Sequence, residues 1–296
     1  MIRTGITGLL ILLGTTSVAQ GQNPTPSSAE ARTNAVKPPA LLSETREKAW
    51  AILREGLKDT NTDKRAKAAR ALGLLTGSTE AEKAAVLALK DEKPNVRLAA
   101  AKALGSMHAE NAKGNLEEAL GDSEPSVVLA AANSLLLLHD DVGYDTYYEV
   151  LTGEKRASKR LIKEQLDTLK EKKKVAQMGF EEGIGFIPFG GIGYEIFKTV
   201  TKNDSSPVRA AAAKKLAHDP EPDAGEALAR AAEDKDWKVR AAALDAIALR
   251  EDASLVSRIV SSMDDKNDVV RFTAAACVAH LSGRLEKTNG ASASKP

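Results

Sequence analysis

The chain has 296 residues, enough for two ordinary domains or one elongated array, and balances 42 Lys and Arg against 41 Asp and Glu. A chain so nearly neutral exerts no global pull on nucleic acid or acidic membranes. No nucleic-acid partner is therefore expected, and any membrane contact needs a local patch. Apolar residues make up 43% and aromatics only 4%, an alanine-weighted mixture that favours closely packed helices over a β-sandwich. The single cysteine, Cys277, excludes an internal disulfide framework and any multi-cysteine metal site.

In chain order, Met1-Ile2-Arg3 is a short positive start, Ile6 to Leu13 a mostly apolar run, and Ser17-Val18-Ala19 a small-x-small cleavage pattern. Residues 1–19 thus read as a signal peptide, too short in its apolar part for a membrane span, so export to the periplasm or beyond is expected. Removing it takes away Arg3 alone among charged residues and leaves a neutral chain. No cysteine follows the run, which argues against a lipid-anchored bacterial lipoprotein. Residues 20–42, with Pro24, Pro26, Pro38 and Pro39 among Ser, Thr, Gln and Asn, read as a disordered linker.

From there the chain repeats itself. A Val-Arg pair recurs as Val96-Arg97, Val208-Arg209, Val239-Arg240 and Val270-Arg271, while Lys64-Arg65 and Val127-Val128 stand in the same place with one member altered. Six residues earlier comes Asp59, Asp91, Asp122, Asp234 or Asp265, with Asn203 in the remaining copy. Seven residues later comes Leu72, Leu104, Leu135, Leu216, Ile247 or Val278. Successive copies are 32, 31, 81, 31 and 31 residues apart.

Each element has a physical reason. Ala85, Val86 and Leu89 fall at helical spacing in a first helix, and Asp91 to Pro94 supplies turn chemistry. A second helix then carries Val96, Ala100, Ala103, Leu104 and Met107 on one stripe. One such hairpin cannot cover its own apolar face, so the copies are expected to stack. The pattern D-x-x-x-x-V-R-x-x-A-A-x-x-L resembles the HEAT family, in its short variant named after bilin lyases. The resemblance covers residues 43 to 284 apart from one interruption. It implies an all-α solenoid of about seven helical hairpins, one of them degenerate, with an insertion. It also implies a structural Asp–Arg ladder built from Asp59, Arg65, Asp91, Arg97, Asp122, Arg209, Asp234, Arg240, Asp265 and Arg271, broken where Val128 replaces the arginine.

The step of 81 holds one degenerate repeat and about 19 further residues. Tyr144, Tyr147, Tyr148 and Leu151 begin that repeat, and Leu161, Ile162, Leu166 and Leu169 continue it. Residues 155–174 carry nine Lys or Arg against three Asp or Glu, and Phe180, Phe186, Phe189 and Phe197 follow among six glycines. We divide the chain into N-terminal repeats over 43–152, this basic, Phe/Gly-rich interruption over 153–190, C-terminal repeats over 191–284 and a disordered tail over 285–296. Three readings of the interruption stay open: a structural loop sealing a joint between two half-solenoids, a partner-docking loop, or a membrane-surface contact.

No catalytic site stands out. Gly183-Ile-Gly185 lacks the third glycine of a dinucleotide loop, and there is no phosphate loop. His108, His139, His218 and His280 fall near the ends of second helices, where an imidazolium is favoured. Cys277 sits among alanines as a packed thiol. Within the family, deoxyhypusine hydroxylases carry His-Glu pairs, and this chain has none. No cofactor or metal is therefore expected, and the chain is read as a scaffold rather than an enzyme. HEAT stacks usually line their inner face with second helices. One position after the arginine that face reads Ala66, Leu98, Leu129, Ala210, Ala241 and Phe272, and five positions after it Arg70, Lys102, Asn133, Lys214, Asp245 and Ala276. Arg70, Lys102, Leu98, Leu129, Lys214 and Phe272, with Phe180, Phe186 and Phe189 of the insertion, are the expected contacts for a protein or peptide partner.

Overall fold

A computed structural model describes residues 38–152 and 205–293, with side chains over 42–150, at 152 and over 205–286. Among the described residues there are helices and no strands. Helix α1 spans Pro38–Leu57 and α2 Thr62–Ala71, which tightens into a 3-10 turn over Leu72–Leu74. α3 (Thr79–Ala88) pairs with α4 (Pro94–Ser106), α5 (Lys113–Ala119) with α6 (Pro125–Leu137), and α7 covers Val142–Thr152. Then come α8 (Ser206–Leu216), α9 (Pro222–Ala231) with α10 (Trp237–Arg250), and α11 (Val256–Ile259) with α12 (Asp268–Ala293).

The start signals lie in the sequence. Pro94, Pro125 and Pro222 open their helices at the first turn, where a missing N–H costs nothing. The Asn61 side chain caps α2 by accepting from the backbone amides of Asp63 and Lys64. The stops are less conventional: His108, His139 and Glu251 end α4, α6 and α10 in the left-handed region (φ 53, 55 and 57), a position usually given to glycine. His218 follows α8 closely, but His280 departs from its expected place because α12 continues well past it.

Two boundaries differ from the sequence reading. α1 begins at Pro38, inside the expected linker, since Pro38-Pro39 makes a good first helical turn. α12 runs to Ala293, through most of the expected tail. Arg284 pairs with Glu251 and Arg46 with Glu286, which ties down its later turns.

The second helices pack side by side, but not in chain order. α8 lies against α10 and α10 against α12; α12 then lies against α2, α2 against α4, and α4 against α6, with α7 beyond. The C-terminal block therefore docks directly onto the first hairpin of the N-terminal block. Thr152 and Ser205 fall toward opposite ends of one array. Successive first helices make no comparable backbone approach to one another, so the second helices form the more closely packed row of the array. The joint between the blocks is α1 laid along α12. Phe272 of α12, 3% exposed, fills a notch at Gly56, where a Cβ would come within 2.4 Å of the ring. Lys48–Asp264 and Arg46–Glu286 bridge the same joint.

Candidate functional site

The Asp–Arg pairs are a framework, and their geometry shows why the motif needs both residues. Arg65 makes paired bonds to Asp91 (2.8 and 2.9 Å), Arg97 to Asp122 (2.6 and 2.8 Å), Arg209 to Asp234 (3.0 and 3.0 Å) and Arg240 to Asp265 (2.7 and 3.0 Å). The third guanidinium nitrogen of Arg65, Arg97, Arg240 and Arg271 donates to the carbonyl of the aspartate in its own repeat. Each aspartate also accepts from the amide two residues on, as Asp91 does from Lys93 and Asp122 from Glu124. One carboxylate thus shapes its own turn and receives the preceding arginine. The hydrogen bond from Arg65 holds the Asp91 carboxyl below its usual range. Burial alone would raise Asp122, Asp234 and Asp265, but the guanidinium beside each lowers them instead.

The ladder stops at the joint. Arg271 pairs with Asp268 of its own helix and lies 5.2 Å over the Phe272 ring, while Asp59 takes Lys64. α1, laid along α12, replaces the rung that would otherwise join the two blocks.

The expected partner-contacting residues divide into three groups. Phe272 is not on an open surface: it is buried against Gly56, where its helix meets α1, and its register mates Ala210 and Ala241 are buried as well. Phe180, Phe186 and Phe189 lie outside the described residues. Arg70, Lys102, Leu98, Leu129 and Lys214 are all partly buried on the second-helix face. The permuted stacking places the five-position row in the order Lys214, Asp245, Ala276, Arg70, Lys102, Asn133.

That order brings Asp245 between two cations from different blocks of the sequence. Burial pushes the Asp245 carboxyl up to about 6, against the opposing pull of Arg70 and Lys214. Burial likewise lowers Lys214, with Arg70 adding to the effect and Asp245 opposing it. Ala276, fully buried, is the member of the row on the intervening helix α12, and the charge of Asp245 is felt at the next residue, Cys277. Arg70 and Asp245 thus feel each other's charge across α12, whose member of the row is an alanine. Asp245 stood in the row by spacing, but nothing in its sequence neighbourhood links it to Arg70. Only the docking of the blocks does so.

The thiol of Cys277 is 0% exposed and pushed far up by burial, so it is a packed side chain rather than a nucleophile. His280 is buried with Nε2 3.8 Å from Glu251. Among the described residues no three His, Cys, Asp or Glu side chains gather to hold a metal ion, and no helix is long and apolar enough to cross a membrane.

A family model described as HEAT repeats matches residues 51–136 and 195–279. The chain belongs to the HEAT-repeat family. The two matched stretches of this HEAT-repeat protein correspond to the blocks that dock through α1 and α12. No curated protein matches the chain. Among solved structures it is similar to human deoxyhypusine hydroxylase in complex with glycerol (17% identity, TM-score 0.34, covering 83% of this chain and 99% of that one). It is similar also to the complex of CpcE and CpcF of phycocyanin lyase from Nostoc sp. PCC7120 (18%, 0.30, 86% and 100%) and to an engineered protein (17%, 0.25, 81% and 97%).

Proposed function

We propose that this HEAT-repeat chain is a non-catalytic scaffold that binds an extended protein or peptide segment along its second-helix face. The observation that supports this reading is the row Lys214, Asp245, Arg70, Lys102, Asn133, interrupted only by the buried Ala276, with Leu98 and Leu129 beside it as partly exposed apolar contacts. An open face several helices long suits an extended ligand, whereas a small molecule is held by an enclosing pocket. The leader-like sequence of residues 1–19 supports placing this scaffold outside the cytoplasm.

A photo-crosslinking amino acid at Leu98 or Lys102, compared with one at Leu87 on the outer helix α3 (73% exposed), tests the assignment. Protein adducts from the first two positions and not from Leu87 are expected. Adducts from Leu87 alone, or lipid adducts alone, would rule the second-helix face out.

A further inference from the structure

We infer that the outward side of α7 docks an extended, Arg- or Lys-rich segment of another protein. The inference goes beyond the second-helix face and does not depend on it. α7 is sealed against α6 on one side: a Cβ at Gly143 would come within 2.4 Å of the Ala132 carbonyl oxygen, Thr146 is buried, and the Tyr147 hydroxyl donates to the Leu129 carbonyl at 3.4 Å. The opposite side carries Asp141, Tyr144, Asp145 and Tyr148, which spacings of three and four place on one stripe. All four are exposed, Tyr144 by 64% and Tyr148 by 71%. Seven large apolar or aromatic side chains are exposed among the described residues, and Leu137, Val142, Tyr144 and Tyr148 gather four of them at this end of the array. Leu87, Val208 and Leu249 lie singly on other helices, as is ordinary for a protein surface.

Charge selects the occupant. Residues 114–152 contain eight Asp or Glu and no Lys or Arg. Asp122 is taken by Arg97, and Asp140 accepts from the Val142 amide that opens α7. The carboxylates of Asp141 and Asp145, one turn apart on the stripe, make no hydrogen bond or ion pair with another described residue. Two such carboxylates repel each other, and a cation set between them relieves the repulsion. The tyrosine rings beside them attract the same cation through their faces and accept its alkyl stem. Successive turns of α7 stand about 5.4 Å apart, and alternate side chains of an extended segment about 6.6 Å apart, so two bases separated by one residue can each meet a ring and a carboxylate. An acidic segment or an anionic lipid surface is repelled by the same groups.

The test uses the full chain and three fluorescent octapeptides, Arg/Ala, Gln/Ala and Glu/Ala alternating, followed by anisotropy. The Arg/Ala peptide should bind best, and its binding should weaken as salt rises from about 50 to about 300 mM and screens the exposed charges. Tyr144→Ser with Tyr148→Ser should weaken it about tenfold, and Asp141→Asn with Asp145→Asn about fivefold. Both variants should keep the native circular dichroism, since all four side chains are exposed. Leu87→Ser, at an exposed apolar position on α3, should bind as the unaltered chain does. Equal binding of the three peptides, or Arg/Ala binding that the α7 variants leave unaltered, overturns the inference. Arg/Ala binding that emerges only when the nine Lys and Arg of residues 155–174 are replaced by Gln gives the face to the chain's own basic stretch, and the inference falls. A dimer in light scattering that the tyrosine variant dissolves gives it to a second copy, and the inference falls likewise. None of these results bears on the adducts expected from Leu98 and Lys102, so the second-helix reading stands or fails separately.

Discussion

The notch at Gly56 makes a quantitative prediction about the joint. Gly56 lies in the last turn of α1, where replacing glycine by alanine ordinarily stabilises a helix by up to about 1 kcal/mol. Here the added Cβ would stand 2.4 and 2.6 Å from the Phe272 ring and 2.9 Å from the Cβ of Ala68. Carbon atoms in contact prefer about 3.5–4.0 Å, so the ring must retreat by roughly 1 Å. Phe272 is 3% exposed and has little room to do so. Overpacking of this kind costs about 1–3 kcal/mol, so the clash outweighs the propensity and Gly56→Ala should be destabilising by about 1 kcal/mol. Phe272→Ala alone should cost about 3–5 kcal/mol. In that background the ring clash is gone and only the 2.9 Å approach to the Ala68 Cβ remains, so the same substitution should cost less. The two changes should therefore couple by about 1 kcal/mol in a double-mutant cycle. Guanidinium unfolding followed by far-ultraviolet circular dichroism measures all four corners. A Gly56→Ala effect of the same sign and size in both backgrounds would refute the packing argument.

Other outcomes follow from the same physical terms. Arg97→Ala leaves the carboxylate of Asp122, whose side chain is 11% exposed, without its guanidinium and releases two carbonyl bonds as well. It should cost about 3 kcal/mol by chemical unfolding, whereas Arg271→Ala, which breaks only contacts within its own repeat, should cost about 1 kcal/mol. Gly105→Ala should destabilise by about 1–3 kcal/mol, because its Cβ would stand 2.5 Å from the Ser134 Oγ and 2.9 Å from the backbone Cα; unfolding midpoints at or above the unaltered value would count against the close approach of α4 and α6. Asp245 has its folded-state pKa raised to about 6, so its contribution to stability is complete below about pH 4 and is lost as pH rises through 6. Asp245→Asn should accordingly gain on the order of 2 kcal/mol relative to the parent between pH 4 and 8, read from unfolding curves across that range. Asp91, with its pKa lowered, runs the other way: its contribution is present above about pH 4 and lost in acid, so Asp91→Asn should flatten the acid limb.

The repeat was legible because its register is imposed by local chemistry. Asp91 and Arg97 must stand six apart for the guanidinium to reach the carbonyl that begins its own turn, and the alanines must stand where the helices approach. That logic gives the hairpins, the paired Arg–Asp bonds and the face on which Arg70, Lys102 and Lys214 lie. It says nothing about which end of a block meets which, because every regular second helix offers a similar alanine-rich flank. The joint therefore escaped it, and Phe272 was placed on the open face with its register mates. Two irregularities pointed to the joint without explaining it. Phe272 is the one aromatic residue in a row of alanines and leucines, and Gly56 sits inside a helix where alanine would be the better helix former. Likewise the meeting of Asp245 with Arg70 depends on a tertiary contact that no local spacing encodes.

The docking of α12 onto α1 also sets the order in which the chain can become native. Arg46 and Glu286 are 240 residues apart, and Lys48 and Asp264 are 216 apart, whereas the regular rungs close over 25 or 26. Each block can zip from near-neighbour contacts at the rate of a helical bundle, but their union needs a closure nearly as long as the chain. The entropy of closing such a loop grows only by about 0.6 kcal/mol for each doubling of its length. The stretch between Thr152 and Ser205 can therefore lengthen or shorten in evolution at small thermodynamic expense. During synthesis α1 is the first of the described helices to emerge and must keep its flank uncovered until α12, the last of them, arrives to close it.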